Sequence, residues 1–220
     1  MNVLVACEES QVVCTAFREK GHNAFSCDIQ ECSGGHPEWH IRGDVLPLLN
    51  GRCSFKTLDG KEHTVDGRWD LIIAHPPCTY MSAAGACRMY PQKGQLDEDR
   101  YKKAIEAKVF FMQLLNADCE KICVENPKPL SIVGLPPHSI IIQPWEFGDP
   151  YTKKTMLWIR GLPPLMPNFT EGYHKPFLPS ATSRSKGTQK NKGAANGSKR
   201  RSKTFLGIAK AMAEQWGGTL

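Results

Sequence analysis

The chain has 220 residues, 28 of them basic and 22 acidic, with 40% hydrophobic residues, a composition that fits one compact globular domain and excludes disordered, fibrous and multidomain classes. No uncharged run approaches the ~18 apolar residues of a membrane span, and the opening MNVLVACEES lacks the basic region and cleavage site of a secretory leader, so a cytoplasmic protein is expected. The net charge of +6 is concentrated: Ser180 to Lys203 carry eight basic residues and no acidic ones, which leaves the remainder at −2.

Asn2 to Cys7 form an apolar run that reads as a strand. A helix follows, with Ser10 as its expected N-cap, Val12, Val13, Ala16 and Phe17 facing inward, and Gly21 as the stop. A second strand, Ala24 to Cys27, ends at Asp28, and Gly43-Asp44 open another short segment after a loop. Trp69 to Ala74 read as a strand closed by His75-Pro76-Pro77, whose prolines cannot donate to a ladder. From Asp97 to Asn116 an amphipathic helix is expected, with Tyr101, Ile105, Val109 and Met112 inward. Strands recur at Ile122 to Glu125, Ser139 to Gln143 and Thr155 to Ile159, and Phe205 to Trp216 form a closing helix. Strands alternating with helices predict a three-layer α/β fold with a mostly parallel sheet. Residues 163–203, rich in Pro, Ser, Gly, Lys and Asn, read as a small irregular basic insert between core segments 1–162 and 204–220.

In such a sheet, ligands bind beyond the carboxyl ends of the strands. Here those ends carry Cys7-Glu8-Glu9-Ser10, Asp28, His75-Pro76-Pro77-Cys78 and Glu125-Asn126-Pro127, while Asp44 begins the segment after Asp28. An acid at the end of the second strand is placed to grip ribose hydroxyls.

In that order these residues resemble the cytosine-5 DNA methyltransferase family, especially its short phage-type members. Pro76 to Gly85 (PPCTYMSAAG) is similar to the family's Pro-Pro-Cys segment with a Ser four residues after the Cys, with Thr79 in place of the usual Gln. Glu125-Asn126 matches its Glu-Asn-Val, with Pro127 at the Val. Phe147 to Ile159 resemble the Phe-Gly-x-Pro-Gln-x-Arg-x-Arg strand, with Tyr151, Lys153 and Thr155 at the Gln and the two Arg positions. Gly207 to Ala213 resemble the last helix. The resemblance implies a Rossmann-like S-adenosylmethionine-dependent methyltransferase fold, S-adenosyl-L-methionine as cofactor, DNA as substrate and a bacterial host cytoplasm; it implies no membrane and no obligate protein partner.

It also implies roles. Cys78 would add as a thiolate to carbon 6 of a flipped cytosine. Glu125, with a pKa raised by partial burial, would face ring nitrogen 3 and the exocyclic amine, and Lys153 or Lys154 would replace a bidentate Arg with a point charge. Asp28, Asp44, Cys7, Glu8 or Glu9, and Pro76 would hold the cofactor, although the first turn, CEESQ, has no glycine for close backbone approach. Tyr80 and Ser82 would lie at the mouth of the base pocket. The basic segment, through Arg184, Lys186, Lys199, Arg200, Arg201 and Lys203, occupies the family's target-recognition position and would clamp DNA phosphates.

Other readings stay open at this level. Cys27, Cys32, His36 and His40 spell C-x4-C-x3-H-x3-H, but the gap between the ligand pairs is tight for structural zinc, and no metal is expected. A pyrimidine nucleotide-modifying enzyme would use the same thiol chemistry without a DNA clamp, and a DNA-binding relative without turnover would explain the missing glycines and arginines.

Overall fold

A computed structural model describes residues 1–168 and 203–218. A seven-stranded sheet forms the centre, built from β1 (Asn2–Ala6), β2 (Asn23–Asp28), β3 (His40–Arg42), β6 (Leu71–Ala74), β7 (Ile122–Asn126), β8 (Ile140–Ile142) and β9 (Thr155–Arg160), in the order β3-β2-β1-β6-β7-β9-β8. β3, β2, β1, β6 and β7 run parallel, and only β9 runs against its neighbours β7 and β8. This is the Rossmann-like three-layer α/β architecture expected from the strand–helix alternation. Among the described residues, no helix is long and apolar enough to cross a membrane.

Both faces of the sheet are covered, which is why its central strands read as continuous apolar runs. Side chains alternate across the pleat. Val3, Val5, Leu71 and Ile73 meet α1 (Val12–Glu19) and the closing helix α4 (Leu206–Trp216) through Phe17, Ile208 and Trp216. Leu4, Ala6, Ile72 and Ala74 join the opposite core with Phe25, Phe111 and Trp158 beneath α3 (Glu98–Leu115). α3 begins where its chemistry says it should, because the Asp97 carboxylate accepts from the Arg100 N–H at 2.8 Å as an N-cap.

Two expectations are corrected and one element is added. Ser10 does not cap α1; Gln11 is the N-cap residue, in the left-handed region at φ 60°, and the capping acceptor is Glu8. α3 turns a different face inward: Ala104, Phe111 and Leu114 are buried, whereas Val109 is 55% exposed. An antiparallel hairpin, β4 (Cys53–Lys56) and β5 (Glu62–Val65), also interrupts the crossover to β6. Its Asp59-Gly60 turn, with Gly60 at φ 85°, carries the hairpin signal. A short helix, α2 (Ala86–Met89), follows the Pro-Pro-Cys loop.

Candidate active site

Strand order reverses between β1 and β6, so the crevice that an open α/β sheet offers a ligand lies between the ends of these two strands. Cys7 to Gln11 leave β1 on one side of it and His75 to Cys78 leave β6 on the other. β7 ends on the same edge with Glu125 and Asn126. The antiparallel register pairs them with Leu157 and Met156, which starts β9 there and places Lys153 just before it.

Two loops are laced together above this edge. The Ala83 N–H donates to the Lys128 carbonyl at 2.8 Å, the Leu130 N–H donates to the Met81 carbonyl at 2.7 Å, and Ser82 bridges to Pro129. The segment carrying Cys78 is thereby fixed to the segment that follows Glu125. The Ser82 hydroxyl accepts from the Ala84 N–H at 3.2 Å, which makes it the cap of the next turn, and Ser82 is itself buried. Arg100 donates to the Thr79 carbonyl at 2.8 Å and, with Lys103, lies over the Tyr80 ring.

Cys78, Glu125 and Lys153 form one electrostatic cluster. Burial pushes the Cys78 thiol up, the Glu125 charge adds to this, and Lys153 opposes it. Glu125 departs from the sequence expectation. Burial pushes its carboxyl up, but the hydrogen bond from His75 and the positive charge of Lys153 outweigh that and hold it below the usual carboxylate range. The His75 Nδ1 to Glu125 Oε2 distance is 3.2 Å, and the two side chains are only 9% and 14% exposed. Because an ionised carboxylate only accepts, Nδ1 carries the hydrogen. His75 also lines a small cavity with Glu125, Lys153, Thr155, Phe205 and Ile208, with room for about one water molecule. The Lys153 ammonium lies 5.7 Å from the Phe205 ring centroid, and Tyr151 packs on the same ring.

The other end of the crevice is acidic. Cys7 lies there, its thiol pushed up first by burial and then by the charges of Asp28, Cys27 and Asp44, so the two acids converge on the end of β1. Asp28 accepts from the Gln30 N–H at 2.9 Å and Asp44 from the Leu46 N–H at 3.0 Å, single bonds that leave acceptor capacity on both carboxylates. Ile29, beside Asp28, is 75% exposed. Pro76 is buried between the two ends.

Glu8 is already committed. Its two oxygens accept from the Val13 and Cys14 N–H groups at 2.7 and 3.1 Å, where the start of α1 favours negative charge. Gln11 clamps the loop that follows β2 over this turn, donating to the His36 carbonyl at 2.8 Å and accepting from the His36 N–H at 3.1 Å. The tight first turn is therefore closed by side chains rather than by glycines.

Of the basic segment, Arg184, Lys186, Lys199, Arg200 and Arg201 lie outside the described residues. Lys203 donates to the Ser33 hydroxyl at 2.9 Å, at the edge of the same clamped loop. Among the described residues no cluster of three or more His, Cys, Asp or Glu could hold a metal ion. Of the C-x4-C-x3-H-x3-H set, His40 has both ring nitrogens engaged, by the Ser26 hydroxyl and the Gln30 carbonyl, and His36 stacks on Trp39.

Sequence reasoning passed over His75, Gln11, Ile29 and Arg100. His75 had a signal, its place at a strand end three residues before Cys78. Arg100 had none, since it meets Thr79 across 21 residues.

No family model matches the chain, and no curated protein matches it. Among solved structures the chain is similar to one from E. coli, described provisionally as a DNA modification methyltransferase encoded within a prophage, with 14% identity and a TM-score of 0.45. The match covers 90% of this chain and 63% of that one.

Proposed function

We propose that this protein is a DNA cytosine-5 methyltransferase that uses S-adenosyl-L-methionine. The observation that carries the reading is the meeting of Cys78 and Glu125, 47 positions apart in the sequence, at adjacent strand ends with their following loops hydrogen-bonded to each other. A half-buried thiol beside an acid and a lysine suits addition to an aromatic ring, where a nucleophile, a proton donor and a positive charge must act together.

The acidic end fits the cofactor. Asp28 and Asp44 retain acceptor capacity for ribose hydroxyls and an adenine amine, and exposed Ile29 offers an apolar surface to a ring. When bound, the cofactor supplies the methyl group for carbon 5 of the base. Cys78 attacks carbon 6, Glu125 faces nitrogen 3 and the exocyclic amine, and Lys153 steadies negative charge at the ring. The laced loops keep Cys78 at a fixed distance from Glu125, which is the positioning that such a step depends on. Glu8, spent on α1, takes a structural part. Tyr80, with Arg100 and Lys103 against it, and the basic segment 180–203 would hold the DNA.

The test is direct. Labelled S-adenosylmethionine and mixed duplex DNA should yield label in 5-methylcytosine after digestion. A duplex carrying 5-fluorocytosine should trap the protein as a denaturant-resistant adduct that mass spectrometry maps to Cys78. C78S should form none, because a serine hydroxyl is far less acidic than a thiol. Label in another base, or an adduct at another cysteine, would overturn the reading.

A further inference from the structure

We propose that His75 is a proton relay for Glu125: a proton taken up at Nε2 from the small cavity releases the one on Nδ1 to the carboxylate, which passes it to ring nitrogen 3. This deepens the methyltransferase reading and rests on it.

The need arises from the site itself. Glu125 is held in its ionised form by His75 and Lys153, yet facing a ring nitrogen that must gain a proton, it has to act as an acid. Its proton must therefore come from a neighbour. His75 is the only residue that the described structure shows hydrogen-bonded to the Glu125 side chain. Its far nitrogen, Nε2, is buried with no hydrogen-bond partner, an unusual state for a buried polar atom. Orientation of Glu125 would need Nδ1 alone. His75 lines the small cavity and its Nε2 is buried without a partner, which leaves that nitrogen free to serve a relay.

The charged and titratable groups around the imidazole select the direction of transfer. Glu8, from the end of β1, is the other carboxylate whose charge couples to His75. Burial raises its carboxyl above the usual range, but both of its oxygens accept from N–H groups at the start of α1 and the imidazole makes its hydrogen bond to Glu125 instead. Lys153, before β9, favours the ionised form of Glu125, and Cys78 is the thiol that the same carboxylate raises. Glu125 is left as the receiving group.

The step balances. The Cys78 thiol gives its proton to solvent and its sulfur pair forms the bond to carbon 6. The carbon 5–carbon 6 π pair shifts to carbon 4–carbon 5. The carbon 4–nitrogen 3 π pair takes the proton delivered through Nε2, Nδ1 and Glu125. One proton leaves and one arrives, so no net acid or base is consumed. Once carbon 5 is methylated, with the carbon 4–carbon 5 pair spent on the new bond and the nitrogen 3 pair restoring carbon 4–nitrogen 3, the carbon 5 proton leaves to solvent, its pair restores the carbon 5–carbon 6 bond, and the sulfur departs with its own pair. The nitrogen 3 proton returns by the same path. His75 acts through Glu125 and is in that sense a positioning residue rather than a group that touches the base.

The experiment compares wild type, H75N and H75A in single-turnover formation of the Cys78 adduct on 5-fluorocytosine duplex with S-adenosylmethionine, and measures cofactor affinity by calorimetry. The Asn amide can still donate to Glu125 but cannot shuttle a proton. H75N should slow the adduct by about a hundredfold or more, in the range of general acid catalysis, with unchanged cofactor affinity. Added imidazole should restore rate to H75A. H75N at the wild-type rate, or H75A that binds cofactor normally and gains nothing from imidazole, would overturn the relay alone. A wild-type protein that forms no adduct would overturn the methyltransferase reading, and the relay with it.

Discussion

The two ends of the crevice are built on opposite plans. At the β6–β7 end the chain is locked to itself through backbone: the loops after both strands exchange main-chain hydrogen bonds, and Cys78 and Glu125 are held within that frame. At the β1–β2 end, order comes from side chains that reach across turns, Glu8 into α1 and Gln11 into the His36 backbone, while Asp28, Asp44 and Ile29 remain available at the surface. Under the proposed function, the backbone sets the geometry where a bond is to be made, and the contacts are ones that can be exchanged where the cofactor is to enter and leave.

That contrast can be broken from either side. The largest effect is expected from Asp28→Ala. A hydrogen bond to a charged group is worth about 1.5–3 kcal/mol, so the variant should bind S-adenosylmethionine about ten- to a hundredfold more weakly by calorimetry, with little change in adduct formation at saturating cofactor. Gly34→Ala tests the side-chain clamp: an added Cβ would come within 2.5 Å of the Gln11 Cβ and 2.7 Å of the Ser10 carbonyl. Overpacking of this kind costs about 1–3 kcal/mol, and it should appear as a lower melting temperature together with weaker cofactor binding.

Ala83→Pro tests the backbone frame. Ser82 is already extended at φ −70°, ψ 138°, as a residue before proline prefers, so the substitution removes the N–H donated to Lys128 without forcing the chain. Stability should fall by about 1 kcal/mol, the rate of adduct formation should drop, and the cofactor dissociation constant should stay unchanged.

The smallest effect lies away from both ends. His22 is buried between Phe17 and the end of α4, just beneath the surface, with no hydrogen-bond partner on either ring nitrogen. Burial, helped by the N-terminal charge, pulls its pKa below the ordinary histidine value. Its unfolded form therefore binds protons more readily, and the stability it contributes is present above pH ~6.5 and lost as pH falls through the folded value. Wild type should lose melting temperature on this account between pH 7 and 5, and His22→Phe should lose less; parallel curves would show that His22 is not responsible.

The fold was legible because its central strands are buried on both faces. Runs such as VLVA and LIIA, bounded by turn residues, leave few alternatives. Asp97 marked the start of α3 for a similarly local reason. The inward face of α3 was not legible: Tyr101, Ile105 and Met112 are half-buried along one flank, while the pair Phe110-Phe111 shifts the true centre to Ala104, Phe111 and Leu114. The β4–β5 hairpin was missed because its alternation is weak, although Asp59-Gly60 announced it. In the candidate site, the strand-end positions of Cys78 and Glu125 could be read from the apolar runs that precede them. The pairing of His75 with Glu125 could not, because it spans 50 residues and depends on which strands lie side by side.

The chain leaves and rejoins the core at two fixed posts. On departure, the Gln215 amide brackets the Met166 backbone in both directions, at 2.8 and 2.7 Å, and the Trp216 indole N–H donates to the Pro163 carbonyl. On return, Lys203 holds Ser33. Both posts are made by side chains of the described core, so the two ends of the intervening sequence are anchored independently of what lies between them. If that sequence selects the target, as proposed, Met166 and Lys203 are the splice points at which another segment would be grafted.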